Sequence, residues 1–128
     1  MGRIVTPVKI KNLLEPEISI SCDALVDTST AHMVLPREWK TRMGKLHKVR
    51  EVDCEISTQE IVKGEIYGPV EITIHGFEPV YSEVLFLEMK PEEGKFEPLI
   101  GYIILEQSQA AVDMLGHRLI HIKRMDLK

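Results

Sequence analysis

The stretch that decides the fold reads DALVDTSTAHMVLP and covers residues 23–36 of a 128-residue chain. Its apolar triplet, residues 24–26, predicts the end of a buried strand, and Asp27 follows directly. A carboxylate in such a place is costly unless it is hydrogen-bonded or paired, and the three hydroxyl side chains that come next can supply donors. The segment therefore predicts either a functional carboxylate or an Asx-turn in which Asp27 only caps the backbone.

A second apolar segment, PLIGYIILE, lies far downstream at residues 98–106. Leu99 and Ile100 predict a short strand, and a helix is predicted over residues 102–115 because apolar side chains repeat there at helical spacing. Gly101, between the two, has no side chain and allows another backbone to pass close by. By itself this segment predicts only a strand that ends before a helix.

Alternating apolar and polar residues predict strands in most of the remaining chain. The predicted strands cover residues 3–11, 17–26, 30–35, 46–57, 61–67, 70–75, 80–89 and 118–123. Pro36 and Gly44 bound a predicted helix of about two turns, with Trp39 and Met43 facing the core. Short strands with frequent turns predict a mostly β fold, a small barrel or a sandwich, in one domain over residues 1–128.

Composition and charge exclude several classes of protein. The chain is 44% hydrophobic and 28% charged, the balance of an ordinary globular domain rather than of a disordered chain. A net charge of -4 argues against a nucleic-acid partner, and the one dense basic stretch, residues 40–50, is interpreted as a solvated face. No apolar run approaches the roughly 20 residues of a membrane span. Without an export signal at the N-terminus, we expect a cytoplasmic protein with no membrane partner.

The cysteines and histidines do not form a metal-binding pattern. Cys22 and Cys54 are 32 residues apart, and neither CxxC nor HExxH occurs. His117 and His121 fall on a predicted strand, where they are too far apart to share one ion. We therefore expect neither a metal nor a cofactor.

Taken in order, these segments resemble the retropepsin-like aspartic proteases, the single-domain relatives of pepsin. The family carries apolar residues followed by Asp-Thr/Ser-Gly-Ala/Ser/Thr, and residues 24–30 (ALVDTST) stand in that place. Its second motif, apolar-apolar-Gly before the C-terminal helix, resembles residues 99–101. Residues 55–68 match the flap hairpin that the family places between the two motifs, and residues 112–119 resemble the helix end and last strand of small prokaryotic members.

The resemblance implies a small closed β-barrel of the acid-protease half-domain type, with one short helix and one C-terminal helix. Since one chain carries one such motif, it also implies a homodimer in which each subunit contributes one Asp27. Two carboxylates about 3 Å apart share one proton. The ionised carboxylate activates a water for attack on a peptide bond, the protonated one donates to the carbonyl oxygen, and the Thr28 hydroxyl locks the two loops together.

The resemblance also assigns the site residues. The catalytic candidates are Asp27, Thr28 and Ser29, and the substrate-binding candidates are Thr30 and the flap-tip residues Ser57, Thr58 and Gln59. His32 is interpreted as a wall or surface residue, because the family uses no catalytic histidine. Ser29 departs from the family, which has glycine there, and its side chain could crowd the two carboxylates.

Three functions remain open after this reading. The first is a homodimeric aspartic endopeptidase acting on peptide or protein substrates. The second, favoured by Ser29, is a catalytically weak or inactive dimer of the same fold that serves as a peptide-binding or assembly module. The third is a β-barrel interaction domain without a cleft.

Overall fold

The computed structural model describes residues 3–55 and 58–122, and this part of the chain is built mostly of strands. The strands are β1 (Val5–Asn12), β2 (Ser19–Val26), β3 (Met33–Pro36), β4 (His47–Glu55), β5 (Ile61–Ile74), β6 (Val80–Leu87), β7 (Leu99–Ile100), β8 (Ala110–Asp113) and β9 (Arg118–His121). Two 3₁₀ turns, Arg37–Trp39 and Thr41–Met43, and one α-helix, α1 (Tyr102–Gln107), complete it. The predicted mostly β fold is confirmed.

Six strands close into a barrel in the order β1-β2-β7-β3-β6-β5, and β5 pairs back with β1. Closure depends on the length of β5, which has 14 residues. Its second half, from Val70, pairs with β1, while its first half pairs with β4 outside the ring. The strands predicted at residues 61–67 and 70–75 are therefore one strand, with a register irregularity between Tyr67 and Val70.

The core fills the barrel with the apolar faces that alternate along the strands. Its fully buried side chains include Ile10, Met33, Leu35, Met43, Ile72, Ile74, Phe86, Ile100 and Ile104. Burying one such side chain contributes about 1.5–3 kcal/mol. Trp39 packs against this core as predicted, although the two-turn helix expected there is a pair of 3₁₀ turns that meet at Lys40.

The helix predicted over residues 102–115 is wrong beyond Gln107. The chain leaves the helix at Gln109, which has a φ of 56°, and β8 then pairs with β9 as an antiparallel hairpin. Val112 and Leu119 from this hairpin pack against the barrel core. Leu115, which fitted the helical spacing, is 96% exposed, so the burial gained by the hairpin overrides the local pattern.

A buried asparagine connects β1 to the second 3₁₀ turn. The Asn12 side chain is fully buried, and its Nδ2 donates to the carbonyl oxygens of Met43 at 2.7 Å and Lys45 at 2.9 Å. Its Oδ1 accepts from the N–H groups of Leu14 at 2.8 Å and Glu15 at 3.1 Å. All four hydrogen-bonding positions of this amide, its two N–H donors and the two lone pairs of its oxygen, are therefore used.

We expect Asn12→Ala to destabilise the fold by about 3 kcal/mol or more, because it leaves buried carbonyl and N–H groups without partners. Urea unfolding followed by the fluorescence of the single tryptophan measures this. Asn12→Asp should destabilise the fold at least as much, since its second carboxylate oxygen would face the carbonyl oxygens of Met43 and Lys45. A loss below about 1 kcal/mol for both variants would contradict this account of the turn.

Candidate active site

Asp27 is held at the end of two parallel strands. β2 pairs with β7 through Leu25 with Leu99 and Val26 with Ile100. The Asp27 N–H continues this ladder by donating to the Ile100 carbonyl oxygen at 3.0 Å. The half-buried carboxylate therefore starts its loop from a backbone position that the barrel fixes.

The loop after Asp27 closes on the aspartate itself. The Ser29 N–H donates to Asp27 Oδ1 at 3.0 Å, and the Ser29 hydroxyl donates to the same oxygen at 2.5 Å. The Thr30 hydroxyl donates to the Asp27 carbonyl oxygen at 3.1 Å. The Asx-turn considered from the sequence is thus present. Within residues 3–55 and 58–122, Asp27 Oδ2 has no hydrogen-bond partner.

Gly101 lets the strand of the second motif cross directly against this loop. A Cβ at Gly101 would lie 2.4 Å from the carbonyl carbon of Ala31 and 2.5 Å from the carbonyl oxygen of His32. Next to this crossing, the N–H groups of Tyr102 and Ile103 donate to the carbonyl oxygens of Thr30 and Ala31 at 2.9 and 3.0 Å. The close backbone approach predicted for Gly101 is confirmed. Together with the two hydrogen bonds, this approach holds the loop in place.

A cleft of about 900 Å³ separates the Asp27 loop from the β4–β5 hairpin. Its apolar wall comes from the barrel strands and includes Val34, Ile66, Leu85, Leu87 and Leu99. Arg50, Val52 and Cys54 of β4 line the hairpin side. The carboxylate of Asp27 therefore lies in a partly apolar groove of the size that suits a ligand.

The structure brings together four of the seven site residues predicted from the sequence. Asp27, Ser29, Thr30 and Gln59 line the cleft. Thr28 and Thr58 are exposed and do not belong to the described lining of the cleft, and Ser57 lies outside the described residues. The dimer contact expected of Thr28 involves a second subunit and stays a prediction.

The sequence reasoning missed the hairpin residues of the cleft, Arg50, Val52 and Cys54. Their alternation with Glu51 and Asp53 is visible in the sequence and indicates one shared face. Nothing in the sequence says that this face meets the Asp27 loop. His32 lines the cleft, as predicted, and its Nε2 lies 3.3 Å from Oε1 of Glu83 on β6.

The cysteine in the cleft is not set up as a nucleophile. Burial, and then the charge of Asp53, raise the pKa of the Cys54 thiol above its ordinary value. A thiol of this kind holds its proton at neutral pH, so thiolate chemistry is disfavoured. Within the described residues, no group of three or more His, Cys, Asp or Glu side chains is arranged to hold a metal ion.

Comparison with known proteins identifies the fold. No protein-family model matches the chain, and no curated protein does. Among solved structures, the chain is similar to an EIAV protease in complex with the inhibitor HBY-793, with a TM-score of 0.59 and 19% identity over 82% of this chain and 86% of that one. The fold is that of the retropepsin-like proteases. In this retropepsin-like barrel, no helix of the described residues is long and apolar enough to cross a membrane.

Proposed function

We propose that this protein is a homodimeric aspartic endopeptidase that hydrolyses peptide bonds. One observation carries the proposal: Asp27 sits in a loop braced by the Gly101 crossing, at a 900 Å³ cleft lined by a β-hairpin, within a retropepsin-like barrel. The braced loop holds its carboxylate in one orientation, and such preorganisation is what a catalytic group requires.

In this proposal, two Asp27 carboxylates meet across a two-fold axis and share one proton. The ionised carboxylate takes a proton from a water molecule, whose oxygen attacks the peptide carbonyl carbon. The protonated carboxylate donates its proton to the carbonyl oxygen, which gives a tetrahedral diol. Collapse of the diol returns a proton to the leaving amine and restores the singly protonated pair. Thr28 joins the two loops, and Gln59 at the hairpin contacts substrate.

The direct test is digestion of a proteome-derived peptide mixture by the wild type and by Asp27→Ala, from about pH 3 to pH 7, where shared carboxylates titrate. New peptide termini produced by the wild type and absent with the variant would support the proposal and give the cleavage preference. Cleavage that persists undiminished in Asp27→Ala would count against it. Circular dichroism of both proteins checks that each is folded.

A second function has its own supporting observation, the 2.5 Å hydrogen bond from the Ser29 hydroxyl to Asp27 Oδ1. This hydroxyl occupies one carboxylate oxygen that an active dyad would use for water or for the shared proton. The alternative is therefore a weak or inactive dimer that binds peptides in the same cleft without cleaving them.

Ser29→Gly is expected to raise the turnover number about tenfold, since a hydrogen bond to a charged group is worth about 1.5–3 kcal/mol and this one must yield during the reaction. Ser29→Ala keeps the Cβ and removes only the hydroxyl, so an equal gain in both variants would assign the effect to the hydroxyl. The measurement is kcat on one peptide identified in the digest. Unchanged or lower turnover in both variants would show that Ser29 does not restrain the dyad.

A further inference from the structure

A β-bulge turns Arg50 into the cleft and separates it from the rest of the basic run. Lys48 pairs with Tyr67 and Arg50 pairs with Ile66, so the extra residue between them changes the face on which the chain continues. Ile66 lines the cleft, and Arg50 lies on the same side. Without the bulge, Lys48 and Arg50 would share one face because they are two residues apart.

Two lysines of the run, Lys40 and Lys48, are paired with glutamates. Lys48 lies 3.0 Å from Glu65 Oε2 and 3.2 Å from Glu51 Oε1, and Lys40 lies 3.3 Å from Glu65 Oε1. The interpretation of residues 40–50 as a solvated face holds for these two lysines. It does not hold for Arg50, which is the member of the run that reaches the cleft.

The Arg50 guanidinium is ion-paired with Glu83 but makes no side-chain hydrogen bond among the described residues, so its N–H groups can take a further partner. Its nearest carboxylate oxygen is Glu83 Oε1, at 3.6 Å, and that same oxygen faces His32 Nε2 at 3.3 Å. Among the described residues, the guanidinium makes no contact short enough for a hydrogen bond. Glu83 itself does not belong to the described lining of the cleft, whereas Arg50 and His32 do. At this end the described lining therefore presents the nitrogen atoms of Arg50 and His32, and Glu83 lies close to both.

The described lining also holds two carboxylates, so the positive charge of Arg50 is a local feature of its end of the cleft. Asp27 is the proposed reacting group, and Glu55 is the other carboxylate of the lining. Glu55 is five residues from Arg50 along β4, roughly 17 Å in an extended strand. A substrate side chain held by Arg50 is thus far from Glu55, and a planar guanidinium can bind a carboxylate through two parallel hydrogen bonds.

We propose that Arg50, flanked by His32, forms a specificity subsite for an acidic side chain of the peptide, an inference that rests on the proposed peptide-binding function of the cleft. Arg50 and Val52 share a face of β4 and are about 6.6 Å apart, the spacing of alternate residues in an extended peptide. The preferred peptide therefore has an apolar residue against Val52 and a Glu or Asp two residues away. In a symmetric dimer the subsite occurs on both sides of the cleavage point.

The test uses undecapeptide pools with leucine fixed at the centre and Glu, Gln or Lys fixed two residues to either side. We expect the wild type to cleave the Glu pool at least about tenfold faster than the Gln pool, because charge-assisted pairs to Arg are strong. Arg50→Glu should invert the order in favour of the Lys pool. Lys63→Glu makes the same charge change on the same hairpin outside the described cleft lining and should keep the preference of the wild type.

A binding measurement separates this inference from the peptidase activity. Fluorescence anisotropy of the labelled pools is measured with Asp27→Asn and with the double variant Asp27→Asn/Arg50→Glu. Tighter binding of the Glu pool by Asp27→Asn, with the preference inverted in the double variant, would support the subsite. This holds even if the wild type cleaves no peptide. The absence of cleavage would overturn only the peptidase proposal. The subsite would be overturned if the Glu, Gln and Lys pools were cleaved at equal rates. It would also be overturned if the pools bound with equal affinity or did not bind.

Discussion

Equimolar Asp27→Asn protein, added to a fixed amount of wild type, is expected to reduce its peptidase activity to about one half once subunits exchange, since random pairing leaves half of the wild-type subunits in wild-type dimers. A threefold excess should leave about one quarter by the same pairing rule. The peptidase activity of the variant alone should be at least about a thousandfold lower than that of the wild type, because the variant lacks both the base and the acid of the dyad. Cleavage rate after overnight mixing measures the effect.

Asparagine is the right replacement because its Oδ1 can still accept from the Ser29 N–H, so the loop keeps its turn. Asp23→Asn provides the matched control, since Asp23 is exposed on β2, the strand that leads into Asp27, and is outside the described lining of the cleft. It should leave both the activity and the mixing curve unchanged. Activity that is proportional to wild-type protein, whatever amount of Asp27→Asn is added, would mean that each subunit acts alone.

The second large effect is expected at Gly101. Gly101→Ala places a Cβ within 2.4–2.5 Å of backbone atoms of Ala31 and His32, and a backbone cannot move aside as a flexible side chain can. We expect a loss of more than about 4 kcal/mol in the free energy of unfolding, a large part of the 5–15 kcal/mol typical of a domain. Urea unfolding at one fixed protein concentration, followed by Trp39 fluorescence, measures it.

Gly76→Ala is the matched control, because it measures the loss of stability caused by a glycine substitution without a steric clash. Gly76 has a φ of 88°, and a Cβ there would meet nothing within 4 Å. Its cost should be about 1–2 kcal/mol, the conformational penalty of that backbone for an L-residue. Recovery of Gly101→Ala only as unfolded protein would agree with the prediction. Equal small losses in the two variants would show that the loop and the second strand adapt to each other.

The site loop could be predicted from the sequence because each of its two segments carries a pattern of neighbouring residues that indicates its structure. An apolar triplet before Asp27 indicates where the carboxylate lies, and a glycine after two apolar residues indicates where backbones can touch. Strand alternation, which is strong in β5, predicted a mostly β fold, a small barrel or a sandwich, and the resemblance to the retropepsin-like proteases then favoured the closed barrel. The order of the two motifs along the chain supported the resemblance to the retropepsin-like proteases.

Features fixed by distant partners could not be predicted in this way. Residues 110–115 have apolar residues at helical spacing, and only the packing of Val112 and Leu119 on the barrel makes a hairpin of them. Asn12 looks like an ordinary polar strand residue until Met43 and Lys45 supply its partners. Arg50 belongs by composition to a basic run, and a single bulge, which has no sequence signature here, redirects it.

The pairing of β2 with β7 determines when the Asp27 loop can form during folding. Leu25 meets Leu99, which lies 74 positions later in the chain. Closing so long a loop is entropically costly, and pairings of high sequence separation slow folding. A nascent chain whose synthesis has not passed residue 103 lacks the strand and the helix N–H groups that hold the loop. The growing polypeptide therefore carries no organised Asp27 loop until residue 103 has been made.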